Sequence, residues 1–212
     1  MDLTSTSPTT RIDRDLDSLL VERPGREDRN IVAHSHFREP IPADDGVPHG
    51  NTRRWGDASP ETQLAVIETL RAEASRHRLS VDETAFLLAI ARVESGFNPD
   101  AAAGSSSASG IGQFIDRTGA SYGLDASNRF SLRDNVSALV THLKENLRES
   151  YRRVRETTQT DVFRMAYALH HDGPSLQYGG DVIAETYVLP WTERFRAWLL
   201  NRSVSQGVNS SH

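Results

Sequence analysis

The chain has 212 residues, of which 37% are apolar and 25% are charged, and it contains no cysteine. A chain of this length can bury a core without disulfides or a metal, and the absence of cysteine excludes thiolate zinc sites and a cysteine nucleophile. The formal net charge of −5 gives no basic excess for binding nucleic acid or an anionic membrane. No apolar run approaches the roughly 18 residues that a transmembrane helix needs.

Residues 1–58 are rich in Arg, Asp, Pro, Ser and Thr, and we expect a disordered or loosely attached N-terminal arm. Its apolar patches, Leu19–Val21 and Ile31–Ala33, are short, and they allow at most a short helix over Ile12–Val21. His34 and His36 lack further ligands nearby, so we expect them to be solvated rather than bound to metal.

Helical patterns begin after the arm. Ser59 followed by Pro60 predicts a helix start. Ser80 and Glu83 form a capping box that opens a second helix, and the apolar run Ala85–Ala91 predicts that this second helix is buried on all sides.

Three more helices are predicted further along the chain. Ser131 begins a long amphipathic helix, another spans about residues 158–170, and the last spans about 181–200 with a kink or break near Pro190. Strand signals are almost absent. The sequence therefore predicts an all-α domain over residues 59–201, followed by a polar tail over residues 202–212.

The buried helix ends in the run Glu94-Ser95-Gly96-Phe97-Asn98-Pro99. Burial and the negative end of the helix dipole both disfavour a charged carboxyl at Glu94. We therefore expect Glu94 to have a raised pKa and to hold a proton near neutral pH, as a general acid must. The alternative is an exposed glutamate on the polar face of the helix.

Two further segments carry polar groups. Residues 104–114 form a loop of small residues that ends in Gln113 and Phe114, and such a loop lets a polar ligand approach the backbone closely; a plain surface loop is the alternative. His170 and His171 end the next-to-last helix. We favour helix capping and substrate contact for them over metal binding, because no Asp or Glu lies at a supporting helical spacing.

Together these segments resemble the soluble lytic transglycosylase and goose-type lysozyme superfamily over about residues 80–190. The run that starts at Glu94 is similar to the helix-ending catalytic Glu-Ser motif of that family. Residues 109–114 are similar to its Gly-Leu-Met-Gln segment. Residues 185–188 are similar to a Thr-x-x-Tyr-Val element, which implies that Tyr187 reaches Glu94. One departure is that residues 168–173 stand where many members have Ala-Tyr-Asn-x-Gly. The asparagine that would contact an N-acetyl group is therefore either absent or replaced by His170 or His171.

The resemblance implies a lysozyme-like helical fold and cleavage of the β-1,4 bond between MurNAc and GlcNAc in peptidoglycan. Glu94 would act first as acid and then as base, without a cofactor or metal. Lytic transglycosylation, which leaves a 1,6-anhydro end, is slightly favoured over hydrolysis by a muramidase. The alternatives are a chitinase-like or chitosanase-like glycosidase and a non-catalytic glycan-binding module.

The remaining site residues implied by the resemblance fall into two groups. The residues expected to bind substrate are Ser95, Ser109, Gly110, Gln113, Phe114, Tyr122, His170, His171 and Tyr187. Candidates for a second carboxylate facing Glu94 are Asp100, Asp116 and Asp172, because most glycosidases use two.

The expected partners are the glycan strands of peptidoglycan, with an inhibitor or immunity protein if the protein is a secreted toxin. The expected place of action is the periplasm or the cell wall. Met1–Thr10 lacks the basic end and apolar stretch of a secretory signal. We therefore expect delivery by a secretion apparatus or a phage lysis system.

Overall fold

The structure is a computed structural model that describes residues 16–22, 54–103, 105–154 and 158–209. In these ranges the chain is helical and has no β-strand, only isolated bridges from Ser109 to Ala102 and to Phe114. The helices are α1 (Pro60–Arg76), α2 (Val81–Ser95), α3 (Asp116–Ala120), α4 (Leu132–Arg153), α5 (Gln159–Asp172), α6 (Gly180–Ile183) and α7 (Leu189–Asn209). No helix among the described residues has the length and apolar character needed to cross a membrane.

The predicted helix starts are confirmed by side-chain caps. The hydroxyls of Ser59, Ser80 and Ser131 accept hydrogen bonds from the first-turn backbone N–H groups of α1, α2 and α4, and Thr158 does the same for α5. At Ser80 the capping box is complete, because the Glu83 side chain also accepts from the backbone N–H of Ser80. Each cap satisfies donors that have no partner within the helix.

Helix α2 lies at the centre of the core, as its apolar sequence predicts. All residues from Ala85 to Ala91 are buried. Helix α2 packs along α7, α4 packs along α5, and α1 contacts both α2 and α4. The rings of Phe86 on α2 and Phe163 on α5 stack with their centroids 4.3 Å apart, so the core also connects α2 to α5.

The C-terminal helix differs from its prediction. It begins at Gly180 and continues to Asn209, so part of the predicted polar tail is helical. The irregularity expected at Pro190 lies just before it, as a π-helical turn over Ala184–Val188 in which Leu189 N–H donates to the Ala184 carbonyl. Proline lacks an N–H and crowds the carbonyl four residues earlier, and the wider turn accommodates both effects.

Two segments of the predicted arm pack on the helices. Leu16, Leu19 and Val21 are buried in the core. The amide of Gln63 on α1 bonds the backbone N–H and carbonyl of Val21, both at 2.8 Å, and Arg92 on α2 donates to the Leu19 carbonyl at 3.0 Å.

Residues 54–58 pack too, with Ala58 fully buried. For residues 16–22 and 54–58 the expectation of loose attachment is therefore not met. The short apolar patch at residues 19–21 covers part of the helical core. The periodicity of the sequence does not reveal this contact. Residues 1–15 and 23–53, with the Ile31–Ala33 patch, His34 and His36, lie outside the described residues.

The double variant Leu16→Ala/Leu19→Ala tests this packing. Truncating two buried leucines should lower the free energy of unfolding by about 3 kcal/mol and the melting temperature by about 6–12 °C. The measurement is thermal and urea unfolding followed by circular dichroism. The matched control is Leu200→Ala, because Leu200 is exposed. Equal stability of the double variant and the control would show that the segment does not pack on the core.

Candidate active site

The chain turns sharply where α2 ends. Gly96 adopts the left-handed conformation at φ 62°, and Phe97 follows at φ 58°. A Cβ on Gly96 would lie 2.5 Å from the Cα of Gly56, so only glycine fits there. The Trp55 indole donates to the Val93 carbonyl at 2.9 Å, and Gly56 N–H donates to the Ser95 carbonyl at 3.0 Å. Residues 54–58 therefore satisfy and cover the C-terminal end of α2.

Glu94 lies in this last turn and faces α5. The Tyr167 hydroxyl donates to Glu94 Oε1 at 2.6 Å, and His170 Nε2 lies 3.7 Å from the same oxygen. Tyr167 and His170 are three residues apart on α5 and so share one face of that helix. The Glu94 side chain keeps 14% of its surface exposed. It is therefore largely desolvated and still within reach of a ligand.

Burial raises the pKa of Glu94 above its ordinary value, as the sequence predicts. The hydrogen bond from Tyr167 and the electrostatic effect of His171 lower the pKa of Glu94, but they do not reverse this shift. A carboxyl in this setting keeps its proton at pH values where an exposed glutamate has lost it. It can therefore act as a proton donor.

The neighbours of Glu94 are held in their neutral forms. Burial, reinforced by the charge and hydrogen bond of Glu94, raises the pKa of Tyr167. Burial, reinforced by His142 and His171, lowers the pKa of His170 well below its ordinary value. The 3.7 Å approach of His170 to Glu94 is within the distance of an ion pair, but burial opposes the charged form of both groups. Glu94 and His170 therefore meet as neutral side chains.

The loop after Ala108 is organised by a buried arginine. Arg129 donates to Ser109 Oγ at 2.6 Å and to the Phe114 carbonyl at 3.2 Å, and it pairs with Asp116. Gln113 adopts φ 49°, and its amide donates to the carbonyl of Gly110 within the loop and to that of Ala101 before it. The loop is therefore shaped before any ligand arrives.

His170 also lines a groove of about 770 Å³, a volume within the usual range for ligand sites. Three parts of the chain line the groove: the loop with Gln113 and Phe114, the end of α5 with His171, and one face of α4. The aromatic rings of Phe114, His142 and His170 pack edge to face or tilted, with centroids 5.2–5.9 Å apart.

A hydrogen-bonded chain crosses the α4 side of this groove. Asn146 Nδ2 contacts His142 Nε2 at 3.0 Å, His142 Nδ1 contacts the Tyr122 hydroxyl at 2.8 Å, and that hydroxyl donates to Glu145 at 2.5 Å. Burial lowers the pKa of His142 to about 4. A neutral His142 that carries its proton on Nδ1 satisfies every contact in the chain.

Residues 72–168 match the family model of the transglycosylase SLT domain. The chain carries a transglycosylase SLT domain. The matched range contains Glu94, the Ser109–Phe114 loop and Tyr167, and the all-helical architecture is that of the lysozyme-like superfamily. Comparison with curated proteins gives no match.

Of the residues expected to bind substrate in the SLT domain, several lie below the surface. Ser95 is fully buried and its hydroxyl donates to the Ala91 carbonyl at 2.7 Å. Ser109 and Gly110 are buried within the loop, where the Ser109 hydroxyl accepts from Arg129. Ser95, Ser109 and Gly110 were expected to contact substrate. Because they are buried, we correct this role: they support the shape of the site. Gln113, Phe114, His170 and His171 line the groove, and Tyr122 joins the hydrogen-bonded chain beside it.

The tyrosine at Glu94 is a second correction. The resemblance implies Tyr187, whereas the structure places Tyr167 in hydrogen-bond contact with Glu94 and leaves 56% of Tyr187 exposed on the π-helical turn. Sequence reasoning missed Tyr167, His142 and Glu145. The spacing of Tyr167, His170 and His171 at i, i+3 and i+4 was the available signal, because it places all three on one helix face.

The three candidates for a second carboxylate differ in their surroundings. Asp172 is buried: its oxygens accept from His171 at 2.6 Å and from Gly180 N–H at 3.2 Å. Burial alone would raise the pKa of Asp172, but these hydrogen bonds lower it overall. Asp116 is exposed and paired with Arg129, and Asp100 is half-buried beyond the end of α2. In the described part of the chain, no group of three or more His, Cys, Asp or Glu side chains is placed to hold a metal ion.

Tyr167→Phe tests the contact with Glu94. Removing the hydroxyl removes a hydrogen bond that favours the carboxylate, so the pKa of Glu94 should rise further. The measurement is a titration of the Glu94 carboxyl by ¹³C NMR in wild type and variant. Tyr187→Phe is the comparison, and it should leave the titration of Glu94 unchanged. If the pKa of Glu94 shifts in Tyr187→Phe and not in Tyr167→Phe, Tyr187 is the tyrosine that contacts Glu94, as the resemblance implies.

Proposed function

We propose that the protein cleaves the β-1,4 bond between MurNAc and GlcNAc in peptidoglycan by lytic transglycosylation, with Glu94 as the only catalytic carboxyl. The observation that carries the proposal is the largely buried Glu94 of an SLT domain, which has a raised pKa and lies next to a substrate-sized groove. Peptidoglycan lies in the periplasm and the cell wall, and the protein acts there.

In the first step Glu94 donates its proton to the glycosidic oxygen while the bond from that oxygen to C1 of MurNAc breaks. The proton donor must be protonated when substrate binds, and the raised pKa of Glu94 meets this requirement. The resulting carboxylate keeps the hydrogen bond from Tyr167, which stabilises the charge that has just formed.

In the second step the 6-hydroxyl of the same MurNAc bonds to C1, and its proton passes to the Glu94 carboxylate. Glu94 is thereby restored and no water is consumed. The products are a 1,6-anhydro end and a free GlcNAc 4-hydroxyl.

The surroundings of two candidate second carboxylates support a mechanism with one carboxyl. Asp172 is committed to His171 and to the backbone of the turn that precedes α6, and Asp116 is committed to Arg129. A hydrolase that follows the usual pattern needs a second carboxylate to activate water or to attack the sugar. A transglycosylase takes its nucleophile from the substrate.

Glu94→Gln should abolish cleavage, with a loss of about 100–10,000-fold in rate, because the amide keeps the shape of the side chain and has no acidic proton. The measurement is release of soluble fragments from purified peptidoglycan. The fold is checked by thermal unfolding. The pKa of Glu94 is raised in the folded state, so the free energy of unfolding of the wild type falls as the pH rises through that pKa. Glu94→Gln has no carboxyl to ionise at this position. At pH 8 the variant should therefore be at least as stable as the wild type. Substantial cleavage by a folded variant would disprove the role of Glu94.

Mass spectrometry of the wild-type digest tests the outcome of the reaction. We expect 1,6-anhydro ends, which are lighter than reducing ends by one water. Reducing ends alone would show a hydrolase. A parallel digestion of chitin oligomers separates the proposal from a chitinase-like activity, and we expect no cleavage there.

A further inference from the structure

We propose that Tyr178 and the polar face of α4 form a sugar-binding subsite in the groove beside Glu94, where Tyr178 stacks on a hexosamine ring of the glycan strand. The proposal rests on the proposed function, since it takes the same strand as the ligand.

Tyr178 is exposed to an unusual degree. It lines the groove and keeps 72% of its surface accessible to solvent, the largest fraction among the exposed large apolar and aromatic side chains of the described residues. A large ring left in water gains nothing for folding, because its apolar surface is not removed from solvent. An exposed ring on a groove wall is typical of a ligand contact.

The turn that carries Tyr178 is held firmly. The Asp172 side chain is only 1% exposed, and it accepts a hydrogen bond at 3.2 Å from the backbone N–H of Gly180, two residues after Tyr178. A Cβ on Gly180 would lie 2.9 Å from the Cα of Ala168, so the turn packs directly on α5. The exposed ring is thus presented by a fixed backbone, which lowers the entropic cost of binding a ligand.

The part of the groove formed by α4 carries a row of polar groups. Glu145, Arg148, Glu149 and Arg152 recur three or four residues apart on one face of α4, and all four line the groove. Glu149 accepts from Arg152 at 3.0 Å and from Arg153 at 2.7 Å, so these planar groups are already ordered. An aromatic ring and planar hydrogen-bonding groups that line the same groove match a sugar ring, which has apolar C–H faces and a polar edge.

The groove begins one side chain away from Glu94. His170 lies 3.7 Å from Glu94 and lines the groove, together with His171, Gly173 and Tyr178. A glycan strand with one bond at Glu94 therefore has further sugar residues to place in the groove. This proximity to Glu94 favours the substrate strand itself as the occupant.

The test measures binding apart from cleavage. In the Glu94→Gln background, the dissociation constant for purified glycan strands is measured by titration calorimetry with and without Tyr178→Ala. Loss of a stacking ring should weaken binding about three- to tenfold. Tyr178→Trp should restore it, because a flat ring and not the hydroxyl makes the contact. In the cleaving enzyme, Tyr178→Ala should raise KM and leave kcat within about twofold.

The matched control is Tyr151→Ala. Tyr151 is also exposed and lies on α4, but outside the groove lining, and its loss should leave binding and kinetics unchanged. Equal binding by the Tyr178→Ala and Tyr151→Ala proteins would overturn the subsite, as would failure of Tyr178→Trp to restore binding. If wild type releases no fragments while Tyr178→Ala still weakens binding, the proposed cleavage fails and the subsite stands.

Discussion

The hydrogen bond from Tyr167 to Glu94 is the contact around which the site is built. A carboxyl in the last turn of a buried helix is destabilised as an anion, both by loss of solvent and by the helix dipole. Without a donor, the carboxylate that remains after proton delivery would be left unpaired in a poorly solvated place. Tyr167 supplies that donor at 2.6 Å and, being neutral, adds no charge that would remove the proton beforehand.

The core fixes this geometry. Phe86 and Glu94 are two turns apart on α2, and Phe163 and Tyr167 are one turn apart on α5. The stacked rings of Phe86 and Phe163 therefore hold the two helices together on the faces that meet at Glu94. The end of α2 is held from the other side by residues 54–58, through the backbone of Val93 and Ser95. The stability of the core and the proposed catalytic geometry thus depend on the same helix contact.

Much of this arrangement could be predicted from the sequence because it depends on local rules. The main helices were predicted from the caps at Ser59, Ser80 and Ser131 and from the fully apolar run in α2. The raised pKa of Glu94 was predicted from its position at the end of that run. The Tyr167 contact could not be predicted from local rules. It depends on how α5 crosses α2, whereas the motif comparison selected Tyr187 from its neighbours in sequence.

The N-terminal segment was missed for a related reason. Leu16, Leu19 and Val21 are not spaced with a helical period, and they lie in polar sequence. Their burial depends on the helix surface that they cover, which the sequence does not reveal. The sequence predicts an irregularity near Pro190, and the structure has a π-helical turn just before it. The position of the turn depends on which backbone carbonyl loses its helical hydrogen bond to accommodate the proline.

The pH dependence of kcat/KM on purified peptidoglycan, measured beside the NMR titration of Glu94 in the wild type, tests the central claim most directly. If a protonated Glu94 starts the reaction, kcat/KM should fall as the pH rises, and the midpoint should equal the Glu94 pKa and lie above that of an ordinary glutamate. An increase in kcat/KM through that midpoint, or a Glu94 pKa at or below the ordinary value, would contradict the account.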